Sequence, residues 1–431
     1  MKEKTIAVGI LLILLTPFPS AAMDDMNALA EEAVRVNPKL SVMEKQIEAL
    51  RYKSKAVQKW MDPVAAVEYS NFPVDSWALG DSAMTGIQLK VTQTFPFPGK
   101  NEKRKAAVLA EAEATRLDRE ELAVKLKGAV KDGYLSLTLV RQLKAVTVEH
   151  IAAVDRILES VRLRYEVGRG NQQDVLRMAL LKDRLTEELE EFGRKDREIT
   201  ASINNVLHRD PRTAIETPPA VTSVAPPSDL DALIKEAKKN RPALFALDEK
   251  ARAARLAADQ AVYERRPDFS VWLGYRFRVE AGMDNGTDQM SIGAAIPIPF
   301  DYLGRTDAER AAHLEQAEAV EYQKAAVIDE IGTDIEKGLA AWQRAYSKEK
   351  NYAEKLVPAA GKTLDAAMLA YETDRADFFS IYRSEVDLIE FERAIRSARI
   401  TTLQMKAEIE TAVGKDIESV ATGDANEVKH E

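Results

Sequence analysis

Val130-Lys131-Asp132-Gly133-Tyr134-Leu135-Ser136-Leu137-Thr138-Leu139-Val140-Arg141-Gln142-Leu143-Lys144-Ala145-Val146 lies inside a run of 65 residues, Asn101 to Tyr165, that holds no proline and only two glycines, Gly128 and Gly133. Apolar residues recur at threes and fours, as in Val130, Tyr134, Leu137, then Val140, Leu143, Val146, and the filler is Ala, Leu, Lys, Glu and Arg, all good helix formers. As one helix at 1.5 Å per residue the run would be roughly 100 Å long, far beyond the usual helix of about 11 or 12 residues. A helix of that length needs packing partners throughout. Gln173 to Leu207 reads as an antiparallel return, and Arg305 to Tyr371 followed by Asp377 to Val413 repeats the pattern. A purely structural coiled coil would look the same, so the rest of the chain has to decide.

The amino terminus sets the compartment. Lys2 and Lys4 precede an apolar run from Ile6 to Leu15, then Pro17, Pro19 and the small residues Ser20-Ala21-Ala22. This is expected to be a secretory signal peptide, residues 1–22, because an apolar core of about ten residues is half of what a membrane helix needs. No other stretch reads as a membrane helix. With a net charge of −9 an exported product is a poor nucleic-acid binder. There is no cysteine, which excludes disulfides, thiolate metal sites and a lipid-modified cysteine anchor. A composition 45% hydrophobic and 30% charged is that of an ordered, helix-rich chain.

The chain is written twice. Glu32-Ala33, Pro38, Leu40 and Pro63 match Glu236-Ala237, Pro242, Leu244 and Pro267 at one offset, and Gly133 matches Gly338 and Tyr165-Glu166 matches Tyr371-Glu372 with almost no slippage. The expected units are a first repeat over 23–207, with strands at 64–72 and 86–95 and a helical hairpin over 99–207, and a second over 229–414, with strands at 268–278 and 289–298 and a hairpin over 305–414. Each repeat opens on a helix. A linker, 208–228, holds Pro211, Pro218, Pro219, Pro226 and Pro227, which forbid regular helix. A polar tail, 415–431, closes the chain.

Between the helices the period changes from 3.6 to 2. Phe269, Val271, Leu273, Tyr275 and Phe277 alternate with Ser270, Gly274 and Arg276; Ile87, Leu89, Val91 and Phe95 alternate with Gln88, Lys90, Thr92 and Thr94; Met290, Ile292, Ala294, Ile296 and Ile298 follow the same rule. A soluble sheet with one buried face gives the same alternation. Two features point to lipid instead. The neighbouring helices are committed to their own long rod, and Trp60, Trp77 and Trp272 lie in or beside the strands as interface aromatics do. Ile87, Leu89, Val91, Phe269, Val271, Leu273, Tyr275 and Ile292 are then the expected lipid-facing positions. Four strands cannot close a barrel and open edges are not tolerated in lipid, so several chains must share one. Polar connections, 73–83 and 280–289, suit the water-facing end, and the strands leave through Phe95-Pro96-Phe97-Pro98-Gly99-Lys100 and Ile296-Pro297-Ile298-Pro299, where proline stops the ladder.

The other end of the hairpin reads Arg164-Tyr165-Glu166-Val167-Gly168-Arg169-Gly170-Asn171-Gln172-Gln173-Asp174-Val175-Leu176. Gly168 and Gly170 supply a C-cap and a tight reversal, and Asp174 suits the first turn of the next helix. Export signal, duplicated unit, two strands per unit, proline-marked exit and an Arg-Tyr-x-x-Gly turn with Asp-Val-Leu six residues after the glycine together resemble the TolC-like outer-membrane efflux family, over about residues 29–414. The resemblance implies an α+β membrane protein: a homotrimer whose chains each give four strands to a twelve-stranded β-barrel in outer-membrane lipid, continued by a long α-helical periplasmic tunnel. It implies an outer-membrane channel of a tripartite efflux system. Its partners would be a periplasmic adaptor (membrane fusion protein) and an inner-membrane pump, with the resistance-nodulation-division type as the candidate class. By the same resemblance Arg164, Gly168, Asp174, Leu176, Tyr371 and Arg375 are candidate adaptor-contact positions at the tips.

The second tip departs from the family pattern. Asp374 replaces the turn glycine, and Ser380 and Arg383 stand where some members carry gate aspartates. Asp374, Asp377, Ser380 and Arg383 are the constriction candidates, with Glu385 near them as a further carboxylate and Arg383 free to pair with an acidic neighbour. The Phe-Pro-Phe-Pro-Gly-Lys exit is similar to members that serve heavy-metal pumps, which makes that cargo a candidate. The four histidines, His150, His208, His313 and His430, are scattered singly and read as surface residues. No nucleophile elbow, phosphate loop or metal-spaced histidine pair occurs, so no catalysis, cofactor or resident metal is expected. The competing reading is a soluble periplasmic coiled-coil scaffold with a small sheet.

Overall fold

The computed structural model describes residues 25–298 and 304–417. The expected signal peptide, the Pro299 end of the second strand exit, most of the polar tail and His430 lie outside the described residues. The elements, in order, are α1 (Met26–Val36), α2 (Pro38–Ala56), β1 (Val64–Ser70), β2 (Gly86–Phe95), α3 (Lys100–Glu166), α4 (Gln172–Val206), α5 (Leu230–Asn240), α6 (Pro242–Glu264), β3 (Phe269–Phe277), β4 (Gln289–Ala295), α7 (Arg305–Asn351), a π-turn (Tyr352–Leu356), α8 (Val357–Glu372) and α9 (Phe378–Val413). The run around Gly133 does form one continuous helix, α3, of 67 residues.

Three expectations need correction. Each repeat opens on two helices rather than one, because Pro38 and Pro242 occupy first-turn positions where a missing N–H costs nothing; the Asn37 side chain caps α2 by accepting from the Lys39 N–H at 3.0 Å. The expected unbroken helix over 305–371 is interrupted. Pro358 cannot donate to Glu354 and its ring would strike that carbonyl, so the preceding turn widens to π geometry, with the Val357 N–H reaching back to the Tyr352 carbonyl. The strands are also shorter than 64–72, 268–278 and 289–298. β4 leaves its ladder after Ala295 because Pro297 has no donor to give it.

The duplication appears in the backbone itself. Left-handed residues occur in pairs one repeat apart: Gly99 and Gly304 ahead of the long helices, Gly168 and Asp374 at the reversals, His208 and Gly414 after the returns. Side-chain packing repeats as well. A Cβ at Gly133 would lie 2.9 Å from Ile203 Cγ1, and one at Gly338 would lie 3.0 Å from Ile409 Cγ1, so each glycine admits the same isoleucine of its returning helix.

The compact units do not coincide with the repeats. Among the described residues, one comprises 25–35, 129–225 and 344–404, the other 36–128, 226–298, 304–343 and 405–417, so each takes parts of both copies. In the first, one cluster joins Val154, Ile157 and Val161 of α3, Met178, Leu181 and Leu185 of α4, Leu364 and Tyr371 of α8, and Phe378, Ile381 and Ile389 of α9. The spacings are those of helix faces buried against one another. A second cluster places Ile215 of the 208–228 linker against Tyr134, Leu137 and Ile203, and Arg141 ties the linker down through the Ile215 carbonyl and Thr217.

The second unit holds the sheet. It is antiparallel in the order β1-β2-β3-β4, with Leu89 opposite Val67 and Tyr275, Val91 opposite Ala65 and Leu273, and Leu273 opposite Ile292. At its base Lys100, itself buried, anchors the strand-to-helix exit: Nζ lies 3.0 Å from Asp268 and 3.2 Å from Glu264, and the Phe97 N–H donates to Asp268 at 3.0 Å.

Candidate functional site

Two regions carry functional features, one in each unit. In the sheet, the register puts every apolar alternate on one face: Val67 and Tyr69, then Ile87, Leu89, Val91 and Phe95, then Phe269, Val271, Leu273, Tyr275 and Phe277, then Met290 and Ile292. All eight expected lipid-facing positions are on it, and all are exposed in the chain, from 36% for Ile87 to 77% for Ile292. So large a continuous apolar surface is not tolerated in water without a partner. Aromatic rings mark both ends of the strands. Tyr69, Phe72 and Trp77 stack at 4.5 to 6.4 Å at one end, and Trp60, Phe95 and Phe269 meet at 5.0 and 5.1 Å at the other. That is the arrangement of interfacial girdles around an apolar band.

Trp272 is not part of them. It lies on the opposite face, under the Lys90 ammonium at 4.7 Å and over Gly293, where any Cβ would collide with its ring. Parity, which puts Trp272 with Ser270 and Gly274, overrules its aromatic character. β1 and β4 are edge strands with one unpaired side each. Among the described residues no helix is long and apolar enough to cross a membrane.

In the other unit, the reversals after α3 and α8 lie together. Gly168 turns at φ +75°, with open space where a side chain would begin, and Asp374 makes the matching turn at φ +54°. Arg164 links the two: its guanidinium donates to the Tyr371 carbonyl and to the Asp374 carboxylate and lies over the Tyr371 ring at 4.4 Å. Burial raises the pKa of the Tyr371 phenol, against the opposing charge of Arg164. Asp174 is half-buried, and Gly168, Leu176 and Arg375 are exposed. Sequence reasoning missed Leu163, Val167 and Leu180, which are exposed as Leu176 is. The signal was available, since Leu176 and Leu180 fall off the Met178, Leu181, Leu185 stripe that fills the core.

The constriction candidates have local partners. Asp377 caps α9, accepting from the Ser380 N–H at 3.1 Å and its hydroxyl at 2.8 Å, and these bonds hold its carboxyl below the usual range. Arg383 pairs with Asp387 one turn on, at 3.1 Å. Glu385 does not join an acidic cluster with Asp374 and Asp377. It is fully buried, 2.9 Å from His150 Nδ1, while Nε2 of the same ring lies 3.7 Å from Glu392. His150 is therefore a core residue rather than a surface one. Burial alone would lower its pKa, but the bonds and charges of Glu385 and Glu392 outweigh it and raise it to about 9. Among the described residues no three His, Asp or Glu side chains converge to hold a metal ion.

Comparison with known proteins agrees with this geometry. The outer membrane efflux protein family model matches residues 233–415, which span almost all of the second repeat. No curated protein matches the chain. Among solved structures, the outer-membrane channel OprN superposes with a TM-score of 0.76 at 17% identity, over 90% of this chain and 89% of that one. The outer membrane protein VceC from Vibrio cholerae gives 0.73 at 16%, over 90% and 96%. The CmeC outer membrane channel of Campylobacter jejuni gives 0.74 at 11%, over 93% and 89%. At these identities the likeness is one of fold. Residues 233–415 thus match the outer membrane efflux protein family, and the chain shares the fold of these outer-membrane channels along most of its length.

Proposed function

We propose that the protein is the outer-membrane exit duct of a tripartite efflux system. The observation that carries this reading is the sheet: four strands, two open edges, and a continuous exposed apolar face bounded by aromatic rings. A lipid environment satisfies that face, and closure satisfies the edges. In this reading three chains pair β4 of one with β1 of the next to make a twelve-stranded barrel, and their long helices form a tunnel in the periplasm. A soluble scaffold would have to cover the apolar face with something of its own, and its residues are exposed.

The tips are proposed as the meeting point with a periplasmic adaptor that bridges to an inner-membrane pump, for which the resistance-nodulation-division type is a candidate. Gly168, Leu176 and Arg375, with Leu163, Val167 and Leu180, are the proposed contacts, and their exposure supports this. Arg164 and Tyr371 act behind them by holding the second reversal in position. Asp374 and Asp377 remain the proposed constriction carboxylates; Ser380 and Arg383 line the same turn of α9. The duct performs no bond-making step, and movement of cargo through it is passive, driven by the pump. The exit motif that suggested a heavy-metal cargo is accounted for by the Lys100 anchor and assigns no cargo.

The test is location and mass. Outer and inner membranes are separated, the protein is extracted in mild detergent, and the particle is sized with the detergent subtracted. An outer-membrane trimer is expected; a soluble periplasmic monomer or dimer would refute the duct.

A further inference from the structure

The face of the sheet opposite the apolar one carries all the strand residues with formal charge: Glu68 on β1, Lys90 on β2 and Arg276 on β3. Gln88 stands between Glu68 and Arg276, directly opposite both, and Arg276 donates to its Oε1 at 3.1 Å. One acid and one base on the same cross-strand row largely offset each other. Lys90, one step along the same face, has no such counterpart. It is flanked by Ala66 and Gly274, its ammonium lies over the Trp272 indole at 4.7 Å, and among the described residues no carboxylate pairs with it. The indole holds the ammonium by its π face without neutralising it. The acidic residues of the connections, Asp75, Asp81, Glu280, Asp284 and Asp288, lie beyond the Gly86 and Phe277 ends of the strands. Arg278 is already committed there to Asp284.

We propose that Lys90, held over Trp272, forms a cationic collar on the water-facing side of the barrel that concentrates anionic solutes in the exit segment. The proposal rests on the barrel reading, which turns this face inward and repeats Lys90 three times around one lumen. Rings of one charge are how pores bias the sign of what passes. The class of cargo so favoured is small anions, inorganic or organic, over free cations.

The chain has no cysteine, so a single introduced thiol reports its own surroundings. Thr92 is two residues from Lys90 on the same face, roughly 7 Å along the strand. In the full-length protein in outer membranes, Thr92→Cys is treated with an anionic sulfonate and with a cationic trimethylammonium thiol reagent, each rate divided by that of a free thiol. At an ionic strength of about 0.01 M, one unpaired charge at that distance in water favours the anionic reagent about fivefold over the cationic one. That preference should vanish when Lys90→Gln is added. Leu89→Cys, on the apolar face, should react slowly with both reagents. Equal rates at Thr92→Cys, or a preference unaffected by Lys90→Gln, would overturn the collar while leaving the barrel in place. Fast reaction of Leu89→Cys with both reagents would overturn the barrel reading and the collar with it.

Discussion

Leu273→Arg is the most informative single change in the sheet. Leu273 is the fifth of the nine residues of β3, flanked by Val91 and Ile292, with its side chain on the exposed apolar face. A strand of about nine or ten tilted residues spans a bilayer, so on the barrel reading the centre of β3 would lie near the midplane, where an arginine costs about 2 to 4 kcal/mol. If three chains share one barrel the cost is incurred three times per assembly, about 6 to 12 kcal/mol, comparable with the whole stability of a typical domain. The same substitution at Phe277, the last residue of β3 and near an interface, should cost about 0 to 1 kcal/mol. Ser291→Arg, on the opposite face, should be tolerated. The assay is chemical unfolding of protein inserted in lipid vesicles, with the yield of folded protein in the outer membrane as a second readout. The refuting result would be Leu273→Arg and Ser291→Arg behaving alike, because then the two faces of the sheet do not differ in what they contact.

Three further outcomes follow from the packing and the tips. Replacing Gly133 with Val forces a branched side chain toward Ile203 and should lower stability by about 1 to 3 kcal/mol in thermal unfolding; an unchanged transition would show that the helices do not need the close approach. The pKa of His150 is raised from 6.5 to about 9, so its ion pairs stabilise the fold fully below about pH 6.5 and are lost as pH rises through 9, a change of at most about 3 kcal/mol. His150→Gln should therefore flatten the fall in melting temperature between pH 7 and 10, and an unaltered fall would remove the histidine from the account. Gly168→Val meets an open but left-handed position, so it should leave assembly intact while reducing efflux in a growth assay; full efflux would mean that this reversal is not a docking surface.

Much of the fold was legible because its signals are local. A run without proline and with helical periodicity made α3 readable, and strict alternation fixed which face of each strand is apolar. What failed was of two kinds. Residue type groups Trp272 with the interface aromatics, but its position two residues from Ser270 and Gly274 puts it on the polar face. Pro358 lies inside an apolar period that reads as unbroken helix, and the helix absorbs it through a wider turn instead of ending. The His150 to Glu385 pair joins residues 235 positions apart, and no spacing rule connects a lone histidine to a carboxylate on another helix. The Arg164 contact with Tyr371 and Asp374 is of the same kind. Both ends of it were singled out as tip residues, but only the fold shows that one restrains the other.

The paired left-handed turns have a consequence for stoichiometry. Duplication made the two reversals equivalent in backbone, yet one turns on a glycine with open space beside it and the other on an aspartate clasped by arginine. The proposed ring of three chains would present six reversals in two alternating kinds, and its symmetry would be threefold where the backbone alone would approach sixfold. A binding partner that ignores the difference would saturate at six copies per ring, and one that reads the clasped aspartate would stop at three.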